Sequence, residues 1–187
     1  MPFPDHDTTS CACCHSLLQA MFDRRRFLHV AGAVGLVSIA PSLAFGAQKK
    51  KKFEAMVVSC IDPRFQKPVF RYATERGLTG QYSKFTVAGA AIGVVAPAFK
   101  DWRKAYWDNL AASIQLHNVP KVIAIDHRDC GAAKIAYGEA KVANPQIETQ
   151  TNKTALLEFR KEVTKRHPKL QVELHLMALD GTVETFS

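Results

Sequence analysis

The sequence predicts an α/β fold in which a parallel β-sheet forms the core and helices flank it. Short runs of β-forming apolar residues alternate with longer segments that repeat apolar residues every three or four positions. The β runs contain few polar positions, as do strands that are buried on both faces. This alternation is typical of parallel sheets with right-handed crossovers. A hydrophobic content of 47% is sufficient for one folded domain.

The first half of the domain contains two predicted strands and one helix. FEAMVVSC, residues 53–60, predicts the first strand. A helical pattern runs from Pro68 to about Leu78, where Gly77 and Gly80 end it. KFTVAGAAIGVV, residues 84–95, begins as a strand and continues in small residues. Such a run indicates that the backbone approaches another part of the protein closely.

The second half continues the alternation with two helices and two strands. Asp101 is placed to cap the first of these helices. The predicted elements are a helix from Trp102 to His117, a strand at 121–127, a helix that starts at Thr151 or Asn152 and ends before Pro168, and a strand at 171–179 followed by a turn at Asp180-Gly181. The apolar faces of the two helices consist of Tyr106, Leu110, Ile114, His117, Leu156, Leu157, Phe159 and Val163.

The N-terminal segment resembles an export signal rather than part of the folded domain. Arg24-Arg25 and Phe27-Leu28 precede a short apolar stretch of small residues, as in the twin-arginine (Tat) signals of bacteria. The resemblance implies the Tat export machinery as a partner and a periplasmic or otherwise exported protein. It also implies no stable membrane insertion after cleavage. A buried N-terminal helix is the alternative, and a start at Met21 would leave the first 20 residues untranslated.

The positive charge of the chain is concentrated before the folded domain. The formal net charge is +8, and the run Lys49–Lys52 supplies four of these charges. The rest of the chain has no basic patch interleaved with aromatic residues, so we expect no nucleic-acid partner. The predicted organisation is a signal segment at 1–47, a basic linker at 48–52 and a folded domain at 53–187.

The five cysteines form two groups. Cys11, Cys13 and Cys14 lie in CACCH, whose Cys-x-x-Cys-His spacing is that of c-type haem attachment. Haem is attached in this way outside the cytoplasm, whereas the cluster precedes the export signal, so we assign it no function. Cys60 and Cys130 remain. In an oxidising compartment they could form a disulfide, and metal coordination is the alternative.

Two cysteines and one histidine lie where predicted strands end. Cys60 ends the first strand, and His127 ends the third, shortly before Cys130. Ligands of open α/β sheets gather at the carboxyl ends of strands, especially where the winding direction switches. If the two strands are neighbours, two thiolates and an imidazole can meet at one ion. This donor set is typical of Zn²⁺ with a fourth position left open, as in catalytic sites.

CIDPR and HRDCG, with the loop Val87–Ala90 between them, resemble the signature stretches of the β-class carbonic anhydrases. The resemblance implies a β-carbonic-anhydrase-like fold and a homodimer or higher homo-oligomer. The residues that it assigns are the zinc ligands Cys60, His127 and Cys130 and the catalytic dyad Asp62 and Arg64.

Two features depart from the pattern of that family. Asp126 stands where a glycine usually precedes the ligand histidine. Three roles are open for it: a hydrogen-bond acceptor beside the site, a proton relay, or a surface residue paired with Arg128, which is the role that we favour. The loop at 88–91 lacks the Gly or Asn that is common after Ala-Gly, which affects the shape of the substrate cleft.

The expected activity is the reversible hydration of CO₂ to bicarbonate by a zinc-bound hydroxide. Asp62, kept ionised by Arg64, would accept the proton of the hydroxide and direct its lone pair at the carbon. Hydrolysis of carbonyl sulfide or carbon disulfide on the same scaffold is the enzymatic alternative. A non-catalytic zinc-binding protein of this fold is the alternative outside the enzymes.

Overall fold

The computed structural model describes residues 52–187 and contains a five-stranded sheet. The strands are β1 (Ala55–Ser59), β2 (Tyr82–Thr86), β3 (Lys121–His127), β4 (Gln171–Met177) and β5 (Val183–Phe186). They lie in the order β2-β1-β3-β4-β5. The first four strands are parallel, and β5 pairs antiparallel with β4. The predicted α/β fold with a parallel core is confirmed.

Helices connect the strands of the domain within residues 52–187. They are α1 (Pro63–Glu75), α2 (Ala91–Val95), α3 (Arg103–His117), α4 (Gly131–Tyr137) and α5 (Pro145–Arg166), with 3₁₀ helices at Pro97–Trp102 and Glu139–Val142. Each crossover between parallel strands therefore contains at least one helix, as parallel pairing requires.

The two faces of the sheet carry separate apolar cores, because successive side chains of a strand point to opposite faces. The core on one face consists mainly of side chains from α1 and alternate positions of β1 and β3: Phe65, Val69, Ala73, Ala55, Val57, Ile123 and Ile125. The core on the other face combines α3 and α5 with the remaining positions: Tyr106, Leu110, Leu156, Phe159, Val163, Met56, Val58, Val122, Ala124, Leu174 and Leu176.

The winding direction of the chain changes between β1 and β3. The chain passes from β1 to β2 on one side and then returns past β1 to β3 on the other. Ser59 is paired with Ile125, so β1 and β3 end side by side. Cys60 and His127 therefore leave the sheet at the switch point, where open α/β sheets bind ligands.

Helix α1 begins earlier than the predicted start at Pro68. It starts at Pro63 and ends at Glu75. Asp62 caps it by accepting a hydrogen bond from the backbone N–H of Arg64 at 2.9 Å, and proline is favoured in the first turn of a helix. Pro68 lies inside the helix with its ring buried. Its missing N–H removes one helical hydrogen bond there.

The segment 84–95 is not one continuous strand. β2 ends at Thr86, and the chain then turns into the short helix α2. The φ angles of Gly89 and Ala90 are 79° and 49°, which direct the chain away from the sheet. The predicted close approach of the backbone is present at Gly93, because a Cβ there would lie 2.3 Å from the carbonyl oxygen of Ala88.

Helix α5 begins before the predicted start at Thr151 or Asn152. Its first residue is Pro145, and the side chain of Asn144 caps it. The segment before Thr151 has few buried apolar residues, so apolar periodicity did not reveal it. The helix ends before Pro168, as predicted.

The remaining differences concern one cap and one strand. Asp101 lies in a 3₁₀ helix, and α3 begins at Arg103 with no side-chain cap. Strand β4 ends at Met177, and β5 was not predicted. The predicted turn at Asp180-Gly181 is present, with Gly181 at a φ of 98°, and it connects β4 to β5.

The predicted signal segment at 1–47, the CACCH cluster and most of the basic linker lie outside the described residues. Export and the start site therefore stay predictions. Between Lys52 and Ser187, no helix has both the length and the apolar character that a membrane crossing needs.

Candidate metal centre

Three predicted ligands meet at the carboxyl edge of the sheet. Cys60 follows β1, His127 is the last residue of β3, and Cys130 immediately precedes α4. One ligand atom from each residue lies within 4.8 Å of the other two, and all three residues are buried. Cys60 and Cys130 are free thiols, so the disulfide alternative is wrong.

The hydrogen bonding of His127 leaves one ring nitrogen available. Nδ1 lies 2.9 Å from the carbonyl oxygen of Arg128 and donates to it, because a carbonyl oxygen can only accept. The neutral ring then has its lone pair on Nε2, which is buried and has no hydrogen-bond partner within residues 52–187. Phe65 stacks on the ring with centroids 4.6 Å apart and restricts its orientation. A buried, unpartnered nitrogen next to two thiols is suited to bind a metal ion.

The two thiols interact with each other. The hydrogen bond from Cys130 has the largest effect on Cys60 and lowers its pKa to about 4, although burial acts in the opposite direction. The backbone N–H of Gly89 also donates to Cys60 Sγ, at 3.2 Å. The same thiol pairing, followed by burial, raises the pKa of Cys130. The two sulfurs share one proton in the absence of a metal, and a divalent cation would take the place of that proton.

This donor set fits Zn²⁺. Two thiolates neutralise the cation and an imidazole completes three protein ligands, which is the number found in catalytic zinc sites. Soft sulfur donors together with imidazole select zinc over magnesium or calcium, which prefer oxygen.

Asp62 and Arg64 form a bidentate ion pair immediately after Cys60. Arg64 donates from Nη2 to Oδ2 at 2.7 Å and from Nε to Oδ1 at 3.1 Å. The hydrogen bond from the Arg64 side chain lowers the pKa of Asp62 to about 2, so the carboxylate is ionised at neutral pH. The side chain of Asp62 is 15% exposed and that of Arg64 is 49% exposed. The carboxylate is therefore the more enclosed member of the pair.

Asp126 is a buried residue and not the surface partner of Arg128 that we favoured. It is 1% exposed and points to the opposite face of the sheet from His127, where it contacts helix α2. Its Oδ1 accepts a hydrogen bond from the N–H of Ala91 at 2.8 Å, and burial raises its pKa well above the ordinary value. Of the three open roles, the structure contains the contact of a hydrogen-bond acceptor. That contact fixes the turn that presents Gly89 to Cys60.

The turn between His127 and Cys130 is held by residues that are distant in sequence. Arg128 donates to Glu148 at 3.3 Å and to Glu184 at 3.0 Å. The backbone N–H of Asp129 donates to Glu148 Oε1 at 2.6 Å, and Glu148 is only 7% exposed. The sequence analysis missed these contacts, because nothing near HRDCG shows which distant residue returns to it.

An apolar cleft of about 390 Å³ lies beside the centre. Its lining includes Ile61, Phe85, Val87, Ala88 and Trp102. Ile61 lies between Cys60 and Asp62 in the chain, so the cleft borders the segment that carries one ligand and the dyad. This lining suits a small apolar molecule better than an ion.

Comparison with known proteins agrees with this geometry. Residues 49–176 match the family described as "Putative carbonic anhydrase". An uncharacterized protein of Rickettsia bellii is 30% identical over 129 residues, which cover 69% of this chain and 79% of that protein. An uncharacterized protein of Rickettsia conorii is also 30% identical over 129 residues, which cover 69% of each chain.

Solved structures with a similar fold include β-carbonic anhydrases. The enzyme CcaA has a TM-score of 0.53 and 11% identity, with 73% of this chain and 81% of that chain covered. For CafA of Aspergillus fumigatus the TM-score is 0.50 and the identity 16%, with coverages of 73% and 76%. For the Coccomyxa enzyme in complex with acetazolamide the TM-score is 0.50 and the identity 14%, with coverages of 92% and 85%. At these identities the likeness shows the fold alone.

Proposed function

This chain belongs to the family described as "Putative carbonic anhydrase", and from that premise we propose that it catalyses the reversible hydration of CO₂ to bicarbonate. One observation carries the proposal: Cys60, His127 and Cys130 converge beside a carboxylate that is ionised at neutral pH. A purely structural zinc site would not need an ionised dyad beside it. Structural sites close all four positions with protein ligands, whereas three such ligands converge among residues 52–187.

We propose Zn²⁺ as the resident metal, held by the sulfurs of Cys60 and Cys130 and by Nε2 of His127. Zinc in such a site supplies the Lewis acidity that makes water a nucleophile near neutral pH. The N–H of Gly89, 3.2 Å from Cys60 Sγ, stabilises the negative charge on that sulfur. The contact between Nδ1 of His127 and the carbonyl oxygen of Arg128 sets the tautomer that the metal requires.

Asp62 would position the attacking oxygen. Oδ1 receives hydrogen bonds from the backbone and from Nε of Arg64, while the closest donor to Oδ2 is Nη2. Nε also contacts Oδ2 at 3.3 Å, so the backbone N–H, Nε–H and Nη2–H together supply three hydrogens to the carboxylate. A carboxylate has about four acceptor sites, so it can accept one further hydrogen. Accepting the hydrogen of the nucleophile would leave the lone pair of that nucleophile directed at the carbon of CO₂. This role requires an ionised carboxylate, which Arg64 maintains.

The apolar cleft supports a substrate such as CO₂. Most of its lining is apolar and offers CO₂ a surface without hydrogen-bonding demands, including Ile61, Val87 and Ala88, and the lining also contains Thr86 and Asp101. CO₂ carries no charge and can enter such a cleft without losing strong hydration. Carbonyl sulfide and carbon disulfide share this property, so the cleft does not distinguish them from CO₂.

The test is stopped-flow CO₂ hydration by the zinc-loaded protein, with Cys60→Ser as the control. We expect about one zinc per chain in the parent protein, turnover above the uncatalysed rate, and loss of both in Cys60→Ser. Bound zinc without CO₂ hydration would overturn the proposal. Activity on carbonyl sulfide or carbon disulfide would then identify the sulfur-substrate alternative, and inactivity on all three substrates would favour the non-catalytic zinc protein.

Two further predictions concern assembly and location. We propose a homodimer or larger homo-oligomer. Light scattering coupled to gel filtration tests the assembly, and a monomer at all concentrations would contradict it.

We also propose export through the twin-arginine pathway. Cell fractionation of the parent and of an Arg24→Lys, Arg25→Lys variant tests this prediction, and export of both proteins would contradict it.

A further inference from the structure

The guanidinium of Arg64 is bound on two edges. One edge donates to Asp62 through Nε and Nη2. The other edge faces Asp129, where Nη1 donates to Oδ2 at 2.8 Å and Nη2 donates to the backbone carbonyl oxygen at 3.1 Å. Nη2 therefore uses both of its hydrogens, one on each aspartate. The two carboxylates use different N–H groups and bind Arg64 at the same time.

Asp129 is held in place by contacts of its own. Its φ of 55° is in the left-handed region, which aspartate and asparagine tolerate better than most residues. Glu148 accepts its backbone N–H at 2.6 Å, and Lys134 donates to Oδ1 at 3.2 Å. The side-chain oxygen that remains, Oδ2, is the one that meets Arg64. The turn therefore presents one oxygen of Asp129 in a defined direction.

Arg64 needs this second contact. Its side chain is 49% exposed, and water competes with the carboxylate for the N–H groups of an exposed ion pair. Paired with Asp62 alone, the guanidinium would exchange readily between the carboxylate and water. A planar group that is bound along two edges has far fewer orientations available. The bond to Asp129 also joins the Cys60 segment to the turn that carries the other two ligands.

We infer that Asp129 is a positioning residue for the Asp62–Arg64 dyad: it holds the guanidinium against Asp62 and so keeps the Asp62 carboxylate in place beside the metal. The inference rests on the proposed function for its catalytic consequence. This positioning role differs from a role in the fold alone, because it requires Asp129 to act through Arg64. It also differs from competition between Asp129 and Asp62 for the guanidinium, in which Asp129 would draw Arg64 away from Asp62.

The first test follows the Arg64 side chain by ¹⁵N NMR in the zinc-loaded protein, with its signal identified by its loss in Arg64→Gln. We expect slow guanidinium rotation and slow N–H exchange in the parent protein, and faster rotation and exchange in Asp129→Ala. Asp108→Ala is the matched control, because Asp108 is similarly exposed (62% against 55%) and pairs with Lys104 at 2.6 Å. It should leave the Arg64 signal unchanged. An Arg64 signal that is equally rigid in Asp129→Ala would overturn the inference.

The second test is a double-mutant cycle in CO₂ hydration. We expect Asp129→Ala to lower kcat/KM on the order of tenfold with zinc content unchanged. In the Arg64→Gln background the same substitution should have no further effect. Asp129→Asn, which keeps the left-handed turn and an acceptor oxygen, should recover part of the loss. Equal losses in both backgrounds would overturn the inference, because Asp129 would then act independently of Arg64.

The two tests separate this inference from the proposed function. A parent protein without CO₂ hydration activity would remove the proposed function, and the NMR test would still decide whether Asp129 orders Arg64. Loss of zinc from both Asp129 variants would also overturn the inference, because Asp129 would then support the metal site and not the dyad.

Discussion

The metal centre is built from two segments that are held in opposite ways. The Cys60 arm, residues 60–66, is held mainly by its own neighbours, whereas the His127 arm, residues 126–130, is held by distant parts of the chain. In the Cys60 arm, Asp62 caps α1 and pairs with Arg64. The side chain of Gln66 donates to the carbonyl oxygens of Cys60 and Asp62, both at 3.1 Å.

The His127 arm has local contacts from His127 to Arg128 and from Lys134 to Asp129, but most of its contacts are to distant residues. Asp126 bonds to the N–H of Ala91, Arg128 bonds to Glu148 and Glu184, and the N–H of Asp129 bonds to Glu148. These partners lie on α2, α5 and β5. Substitutions in the Cys60 arm should therefore affect chemistry more than folding. Substitutions around the His127 arm should affect folding and metal retention together.

The largest effect is expected for Asp62→Asn in the Cys60 arm. Asparagine is as good an N-cap as aspartate, so the free energy of unfolding should change little. The charge that holds Arg64 and accepts the hydrogen bond of the nucleophile is lost, and kcat/KM should fall about 100-fold or more with zinc retained. Stopped-flow CO₂ hydration and metal analysis measure the two quantities. Undiminished turnover would remove the dyad from the mechanism.

Next in size is the effect of Glu148→Ala, which removes the main support of the His127 arm. The N–H of Asp129 and the guanidinium of Arg128 would lose a buried acceptor, so we expect the free energy of unfolding to fall by about 2–4 kcal/mol. Zinc should also be lost more rapidly to a chelator. Chemical denaturation measures the first effect. Glu158→Ala is the control on the same helix, because its exposed pair with Lys161 should contribute less than about 1 kcal/mol. Equal costs for the two variants would contradict the comparison.

Substitution of Glu173 tests whether α1, the helix that continues the Cys60 arm, is also held by a residue distant in sequence. Arg76, the C-cap of α1, donates to Glu173 on β4 at 2.5 Å, and Lys121 donates at 3.0 Å. Burial raises the pKa of Glu173, but these two hydrogen bonds outweigh it and lower the pKa to about 2.

Because the folded-state pKa of Glu173 is depressed, its contribution is present above its unfolded pKa of about 4.3 and is lost as the pH falls towards 2. We expect Glu173→Gln to cost on the order of 1–3 kcal/mol at pH 7. The difference from the parent protein should vanish progressively between about pH 4.5 and pH 2. Urea denaturation across this range measures it. A difference that is independent of pH would show that the carboxylate charge contributes nothing to the anchor.

The smallest effect is expected in the turn between the arms. Ala90 has φ 49° and ψ −113°, a conformation that favours glycine. Ala90→Gly should therefore raise the free energy of unfolding by about 0.5–1 kcal/mol. Ala91→Gly, one residue later in the helix, should lower it by a similar amount. Thermal unfolding of the two variants measures both changes in the free energy of unfolding. Changes of the same sign would contradict the strain at Ala90.

The same comparison explains how much the sequence could predict. The three donors were predicted because they lie at or shortly after predicted strand ends, and strand ends follow from apolar runs in the sequence. The dyad was predicted from the resemblance of CIDPR to the β-class carbonic anhydrases. The surface position that we favoured for Asp126 was wrong because both faces of β3 are buried at this end. Its acceptor role depends on the turn at Ala91. Glu148 could not be predicted, because the start of α5 carries few apolar residues and its return to Asp129 depends on the tertiary fold.

Gly93 affects the geometry of the metal centre although it is not one of the predicted ligands. A Cβ at position 93 would lie 2.3 Å from the carbonyl oxygen of Ala88. Gly89, which follows Ala88, donates its N–H to Cys60 Sγ. The gap between helix α2 and this loop admits a hydrogen atom and no methyl group. Even alanine at position 93 should therefore displace this loop and, through Gly89, shift the sulfur of Cys60.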